Sequence, residues 1–570
     1  MVLLVDRARS EYLQLPEAVF AALEHFGIPY YLWDIGSQDI TALDLSSVAA
    51  LVVAQEHLGP ALSSTAVAHI LSGVERDGTG LVILDGDLAG YDPLLRHAVG
   101  LRGAGRSGQI PTSDADGIVI TRSDHFITST QEAGVVHRLR TPAPLTLARA
   151  EEPDLEVLAI SLTEAPALVA RRMGAGRVVQ WLVSPKIWTR SYLGHAHGLD
   201  DLFWKSIVWV ARKPFAMLRM PPFVRLRIDD CHGLWRSAAD LAFVDVLNEF
   251  GHRPTLCVCL RALTPEGAAR ARQLFVEGRA DFAPHTLAPG TGLFYGPGDR
   301  PYTVEEIRVL MAEMDDTFRR WGIVPSRILS DHDHEWTPAV VPFLRERGIV
   351  FKMNVTLPGE RWGDIHEDWR PAPYGSMSYA MDFLPAPYDD FFVVFNHYPT
   401  FDAARAYLPG GERFLYNRAG GFGEQTWDFL NGLTLPLRPA NDVDAAARRL
   451  AEHTRLGLNS LFFGGSITHS HFTQALAPGE WRALLERYEA LTSRLPKRNV
   501  SYDHIAHYAR ARHTTRLIRV DRTPTGEVSC ILAGRTPMPL EVAVYADRKG
   551  EVVEHWAEVP PFEGALTVVL

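Results

Sequence analysis

Val224-Arg225-Leu226-Arg227-Ile228-Asp229-Asp230-Cys231-His232-Gly233 is the stretch from which the rest of the 570-residue chain can be read. Val224–Ile228 has the short, branched, largely apolar character of a buried strand, and it runs straight into two carboxylates. An Asp-Asp pair after a strand is commonly a helix N-cap, so the pair alone decides nothing. Its neighbours do more. From Phe223 to about Arg512, strand and helix signals alternate. Strands are expected at Val224–Ile228, Thr255–Leu260, Asp281–Ala283, Arg327–Leu329, Ile349–Met353, Phe392–Phe395 and Ser460–Phe463. Helices are expected near 235–250, 265–277, 303–321, 337–347, 441–455, 478–493 and 502–511. Roughly seven βα units over about 290 residues suggest a complete or distorted (β/α) barrel, which presents its reactive side chains at the carboxyl ends of its strands.

Five of those strand ends carry His or Asp. Besides Asp229 and Asp230 there are Ala283-Pro284-His285-Thr286, then Ser330-Asp331-His332-Asp333-His334-Glu335-Trp336, then Asn396-His397-Tyr398, and finally Gly464-Gly465-Ser466-Ile467-Thr468-His469-Ser470-His471. His285 by itself could be a satisfied core histidine. The run from Asp331 to Glu335, with five consecutive ionisable residues, is costly unless solvated or bound to metal. Together the strand ends fit hydrolysis assisted by one divalent metal. A carboxylate and two neutral imidazoles leave positions open for water and a substrate oxygen, which suits zinc. A second carboxylate takes the proton of the water, and a histidine protonates the departing amine. Side chains of successive residues diverge, so adjacent aspartates can divide the metal and base roles.

The flanks read differently. Strands at Val2–Val5, Tyr30–Trp33, Val48–Val53 and Leu81–Leu84 alternate with helices at Pro16–His25 and Ser64–Glu75, indicating a parallel α/β sheet of flavodoxin-like or amidotransferase-like order. An amidotransferase needs a nucleophilic cysteine, and none precedes Cys231; no Gly-x-Gly-x-x-Gly follows the first strand either. A Trp- and Phe-rich helix over Gly198–Arg212 ends at Lys213-Pro214, and Met220-Pro221-Pro222 marks a stop. The expected domains are therefore 1–212, 220–512 and a small β-sandwich over 513–570. The four cysteines, Cys231, Cys257, Cys259 and Cys530, make no disulfide framework. Cys257 and Cys259 alternate within Leu256–Leu260 and read as small apolar core residues.

Formal net charge is −11, with 46% hydrophobic residues and no basic run to mark a nucleic-acid footprint. Met1-Val2-Leu3-Leu4-Val5-Asp6-Arg7 reads as a first strand rather than a signal peptide, and no long apolar window offers a membrane helix. A cytoplasmic location is the expectation by default, and oligomeric state cannot be read.

In this order, the constellation resembles the polysaccharide deacetylase (NodB-homology, carbohydrate esterase family 4-like) superfamily. The resemblance implies Asp229 as base, Asp230 as metal ligand and His285 as a second ligand, with zinc or another divalent transition metal as cofactor. The family's His-Ser/Thr-x-x-His motif meets His285-Thr286-Leu287-Ala288-Pro289 here, and Pro289 stands where the second histidine should be. His332 or His334 is then the natural donor. Leu461–His469 resembles the family's terminal strand and implies His469 as general acid, although His471 is close by. The Glu480-Trp481 helix and Tyr502–Tyr508 resemble the close of such a barrel.

The layout is more closely similar to the deacetylase portion of heparan sulfate N-deacetylase/N-sulfotransferases, in Ser330-Asp331-His332…Thr337-Pro338 and Thr468-His469. A fungal galactosaminogalactan deacetylase type is also similar in layout. With no phosphate-binding loop, the resemblance implies deacetylation alone, on an N-acetylated glycan. Trp336, Tyr374, Tyr398 and Phe472 could stack on sugar rings, and Trp336, His397, Tyr398 and His471 are the candidate substrate contacts. Two other functions fit parts of the pattern. One is a glycoside hydrolase pairing Asp229 with Glu335 or Asp333. The other is a non-catalytic carbohydrate binder on a degenerate barrel.

Overall fold

The computed structural model describes all residues except 104–109, 151, 190, 196, 232–240, 289–290, 297–299, 331–336, 355–380, 385, 396–424, 429–432, 437–442, 470–477, 524 and 526. The chain forms two compact units: Met1–Arg219 together with Ala511–Leu570, and Met220–Arg510. Among the described residues no helix is long and apolar enough to cross a membrane.

The first unit is built on a nine-stranded sheet. Five strands run parallel in the order Tyr31–Asp34, Val2–Val5, Ala50–Val53, Gly80–Leu84 and Gly176–Trp181. Four of them, all but Tyr31–Asp34 at the edge, are buried on both faces, and three of these are apolar runs, while Gly176–Trp181 also buries Arg177 and Gln180. The helix Ser64–Asp77 starts where the Ser63 side chain accepts from the Ala66 N–H and stops at Gly78, whose φ of +70° closes the last turn. The parallel sheet expected from the sequence is only half of what is present. Pro166–Met173, Glu156–Ser161, Thr112–Ile120 and Val136–Thr146 extend it with antiparallel neighbours. Thr112–Ile120 and Val136–Thr146 mix buried with exposed positions, so they lack the continuous apolar run that signals a buried strand.

The C-terminal strands do not form a body of their own. Leu540–Arg548 pairs antiparallel with Phe215–Arg219 on one side and Glu551–Val559 on the other. Thr515–Arg522, Val528–Thr536 and Phe562–Val569 form a second three-stranded sheet. The guanidinium of Arg177, 1% exposed, donates to Asp547 and to the Gly550 carbonyl, each at 2.6 Å. The chain leaves the second unit at Arg510, two residues before the expected end at 512, but the segment that follows groups with Met1–Arg219, because its partner strand, Phe215–Arg219, lies about 320 residues before Leu540–Arg548 and has no local signal of its pairing.

Among the described residues of the second unit these strands pair in parallel: β1 (Phe223–Cys231), β2 (Thr255–Cys259), β3 (Asp281–Thr286), β4 (Ile328–Leu329), β5 (Phe351–Asn354), β6 (Phe392–Phe395) and β7 (Gly464–His469), with the short Arg498–Asn499 beside the start of β1. Ladders run β7-β1-β2-β3 and β4-β5-β6, so the last strand lies beside the first, the order of a (β/α) ring. Among the described residues no ladder joins β3 to β4 or β6 to β7. The Ser326 N–H bridges toward β3 through the Phe282 carbonyl at 2.7 Å. Helices cover the outer faces. Val304–Trp321 opens with a Thr303/Glu306 capping box and closes at Gly322, and it buries Ile307, Met311, Met314 and Phe318 at helical spacing.

One expected strand is displaced. Ser460–Phe463 is a turn after the helix Val443–Asn459, and β7 begins at Gly464. The glycines belong inside the strand because a side chain there would meet β1: a Cβ at Gly465 would overlap the Arg225 carbonyl oxygen. Gly465→Ala is therefore expected to destabilise the protein by about 2 kcal/mol or more, measured by urea unfolding.

In the first unit, Asp85 follows the strand Gly80–Leu84 and is fully buried. Its carboxyl group accepts from Tyr91 Oη at 2.7 Å and from the Asp87 N–H at 2.8 Å. Burial outweighs both bonds and, with Glu56 nearby, pushes its pKa up to about 7. The folded protein then holds a proton that the unfolded chain has already released. Stability should fall by about 4 kcal/mol as pH rises through the interval between the ordinary carboxyl value and about 7. Urea unfolding at both ends of that interval should show the decline in the native protein and a flatter profile in Asp85→Asn.

Candidate active site

Strand β1 divides its residues by the pleat. Leu226 and Ile228 point into the helix layer with Val244, Leu247 and Phe282. Arg225, Arg227 and Asp229 take the opposite face, at 1%, 1% and 5% exposure. Charges buried to that degree need partners. Arg225 Nε donates to Thr255 Oγ1 at 2.9 Å, and its guanidinium pairs with Asp281. Arg227 Nε donates to Asp229 Oδ1 at 2.6 Å. Burial opposes the Arg227 charge, but Asp229, aided by Cys257, outweighs it and holds the guanidinium above its ordinary pKa.

Two irregularities in the ladders then shape the strand ends. Between β1 and β2 the register jumps from Ile228↔Leu256 to Cys231↔Val258, so Asp229 and Asp230 share a bulge. Asp230 has φ +53°, in the left-handed region that aspartate tolerates better than most side chains. The adjacent carboxylates consequently part: Asp229 engages Arg227, while Asp230 Oδ1 lies 3.3 Å from His285 Nε2. Between β2 and β3 the register passes from Val258↔Pro284 to Cys259↔Thr286, so His285 is the extra residue.

The His285 ring is fixed from behind. Its Nδ1 donates to the Ser330 carbonyl, just after β4, at 2.6 Å. That bond assigns the proton to Nδ1 and directs the Nε2 lone pair at Asp230. A neutral imidazole nitrogen and a carboxylate oxygen facing each other repel unless a proton or a cation lies between them. Zinc bonds of about 2.0–2.1 Å at a tetrahedral angle separate two ligand atoms by about 3.4 Å. The observed 3.3 Å fits that donor pair. Cys257 also joins this corner: its Sγ, an oxygen of Asp229 and a nitrogen of His285 lie within 4.8 Å of one another, all on buried residues.

The structure thus brings Asp229, Asp230 and His285 together. His469 comes to the same place by its backbone: β7 pairs with β1 in a register that sets His469 opposite Asp229. Its side chain lies outside what the structure describes, as do His332, His334, Trp336, His397, Tyr398 and His471, and also Asp333, Glu335, Tyr374 and Phe472. Three participants were not anticipated. Arg227 stands two residues before Asp229 in a strand, hence on the same face, and this spacing was the available signal. Cys257 reads as a core residue because it is one by burial. The Ser330 carbonyl carries no signal, since any residue supplies that acceptor.

At the strand ends of the first unit the polar groups pair among themselves. Lys186 Nζ is 3.2 Å from Glu56, and His57 Nδ1 is 3.0 Å from Asp87.

No family model matches the chain, and no curated protein matches it. Two similar crystal structures are of proteins described as "putative". One is a polysaccharide deacetylase from Mycobacterium smegmatis, with 13% identity and a TM-score of 0.34, covering 53% of this chain and 93% of that one. The other is a GMP synthase component from Thermoplasma acidophilum, with 10% identity and a TM-score of 0.25, covering 36% of this chain and 91% of that one. The exo-beta-1,4-mannosidase Op5Man5 from Opitutaceae bacterium strain TAV5 is also similar, with 14% identity and a TM-score of 0.24, covering 36% of each chain.

Removing one partner of the interior ion pair should be costly. Arg227→Met is expected to lose about 3–5 kcal/mol, because Asp229 is left buried without its cation, whereas Arg227→Met with Asp229→Leu should recover most of the loss. Urea unfolding of the metal-free proteins provides the comparison.

Proposed function

We propose that the Met220–Arg510 unit is a metal-dependent hydrolase that removes N-acetyl groups from hexosamine residues of a polysaccharide or oligosaccharide. One observation carries the reading. Across the four-strand ladder β7-β1-β2-β3, a carboxylate held by a buried arginine stands in register with His469, beside an imidazole whose Nδ1 is fixed and whose Nε2 faces a second carboxylate. A glycosidase needs its two carboxyl groups and no oriented imidazole. A binding protein needs neither.

In this reading Asp230 and His285 hold a divalent cation, zinc by the donor types. When bound, it supplies Lewis-acid polarisation of the amide carbonyl and lowers the pKa of water. Asp229 acts as general base. Arg227 fixes one of its oxygens and so orients the other, and the carboxylate takes a proton from the attacking water as the C–O bond forms at the acetyl carbon. His469 gives a proton to the amide nitrogen as the C–N bond breaks, releasing acetate and the free amine of the sugar. Roles of this kind contribute about 10²–10⁴-fold each. His332 or His334 would complete the ligand set by a second imidazole. The heparosan-like polymers implied by the sequence resemblance are the first substrates to try, alongside chitin oligomers.

Acetate release from N-acetylheparosan and chitin oligomers should be abolished by a chelator and restored by zinc. Asp229→Asn should lose about 10²–10⁴-fold in kcat while retaining bound metal. Release that survives chelation, or an Asp229→Asn protein of undiminished rate, would sink the proposal.

A further inference from the structure

Lys205 lies on the helix Asp200–Val210 of the first unit and is only 5% exposed, yet its ammonium has no ion pair among the described residues. Partly buried lysines of this chain do find carboxylates: Lys497 Nζ is 2.6 Å from Glu489, and Lys186 Nζ is 3.2 Å from Glu56. Lys205 meets hydroxyls instead. Its Nζ donates to Thr130 Oγ1 at 2.8 Å and to Ser129 Oγ at 3.2 Å. Thr130 Oγ1 donates in turn to Asp201 Oδ2 at 2.6 Å, and Asp201 also accepts from Gln131 Nε2 and the Leu202 N–H. The hydrogen-bonded path from this buried carboxylate to the lysine therefore runs through Thr130. The rings of Phe126 and Trp204 stand 5.7 and 5.6 Å from the ammonium. Burial holds the Lys205 ammonium down to about 8, an effect that Asp201 opposes in part. A lysine so placed can give up its proton close to neutral pH. Ser129 is exposed where Thr128 before it is buried, so its hydroxyl joins solvent to the buried amine.

We propose that Ser129 and Lys205 are the nucleophile and base of a second hydrolytic site, oriented by Thr130 and Asp201, which cleaves esters of small carboxylic acids. Nothing in it depends on the cation site of the second unit. The Ser129 hydroxyl donates to the Phe126 carbonyl at 2.9 Å, and a turn about its Cβ–Oγ bond redirects the hydrogen to a neutral Nζ. Ser129 Oγ then adds to the ester carbonyl carbon as Lys205 takes the hydroxyl proton. The bond from that carbon to the alcohol oxygen breaks, the alcohol leaves with the proton from Lys205, and the acyl group stays on Ser129. Water adds to the acyl carbon as Lys205 takes its proton. The bond to Oγ breaks, the acid departs, and the proton returns to Ser129. The Thr130 N–H has no acceptor among the described residues, and it follows the nucleophile in the chain, where a donor to the developing oxyanion belongs. An exposed serine offers little binding energy to offset amide resonance, so an ester is the substrate class that fits.

A fluorophosphonate probe on the full-length chain, located by mass spectrometry of its peptides, tests this directly. Ser129 should carry the probe in the native protein, with a chelator present as well as without. Hydrolysis of p-nitrophenyl acetate should fall to background in Ser129→Ala. It should drop by about 10²-fold or more in Lys205→Arg, which keeps the buried charge but cannot serve as a base. A native protein whose Ser129 stays unlabelled overturns the proposal, however the variants fold. Labelling or hydrolysis at the native rate in Lys205→Arg overturns it too. Ester hydrolysis that survives chelation and disappears with Ser129 is separate from acetate release from glycans, so either reading can fail without the other.

Discussion

Two guanidinium groups lie inside the second unit, on the first of its parallel strands, and water cannot solvate either of them. Arg225 and Arg227 are each 1% exposed. Burying a charge costs several kcal/mol unless a partner of opposite sign is held in good geometry. Arg225 finds Asp281 and Thr255 on the neighbouring strands, and Arg227 finds Asp229 two residues along its own. The other face of the strand is already committed to the helices through Leu226 and Ile228. A slip of one residue would drive both arginines into that apolar layer and strip them of their partners, so the register has a single acceptable value. Much of the site is downstream of that constraint. The same register sets His469 opposite Asp229 and brings Cys257 onto the face that carries the two arginines.

A regular strand end would leave Asp229 and Asp230 pointing to opposite faces, one of them into the helices. The bulge changes this. By giving β1 an extra residue and Asp230 a left-handed backbone, it lets Asp229 stay on Arg227 while Asp230 reaches His285. The second bulge, at His285, sits across from the first, and the Ser330 carbonyl locks the ring. Local backbone irregularity costs on the order of 1–2 kcal/mol at a non-glycine residue with positive φ. Here it is the means by which two neighbouring carboxylates acquire separate partners.

The alternation of strand and helix in the second unit was legible because each strand is a short apolar run bounded by turns, and β1, β2 and β6 fall close to where their sequences place them. Asp229, Asp230 and His285 were legible for a related reason: polar groups at the ends of apolar strands stand out. The start of β7 was not. Gly464 and Gly465 look like a loop in sequence, and only the proximity of the Arg225 carbonyl explains why a strand uses them. The antiparallel half of the first unit escaped because its strands alternate polar and apolar residues irregularly, leaving no dominant period. Cys257 was legible as a core residue, and its place beside Asp229 and His285 follows from the pairing of β2 with β1 and β3. The pairing of Phe215–Arg219 with Leu540–Arg548 joins segments about 320 residues apart, which no local pattern can announce.

That last pairing has a consequence for how the molecule is made. Phe215–Arg219 has one hydrogen-bonded neighbour in its sheet, Leu540–Arg548, and the second unit is an insertion in the chain of the first. During synthesis, Phe215–Arg219 leaves the ribosome with its edge bare and waits for about 320 residues to follow before its partner exists. At about 5–20 residues per second that interval lasts on the order of 15–60 s. An unpaired strand edge exposed for so long is a template for pairing with other chains. The whole inserted segment therefore has to be synthesised before the interrupted sheet can close.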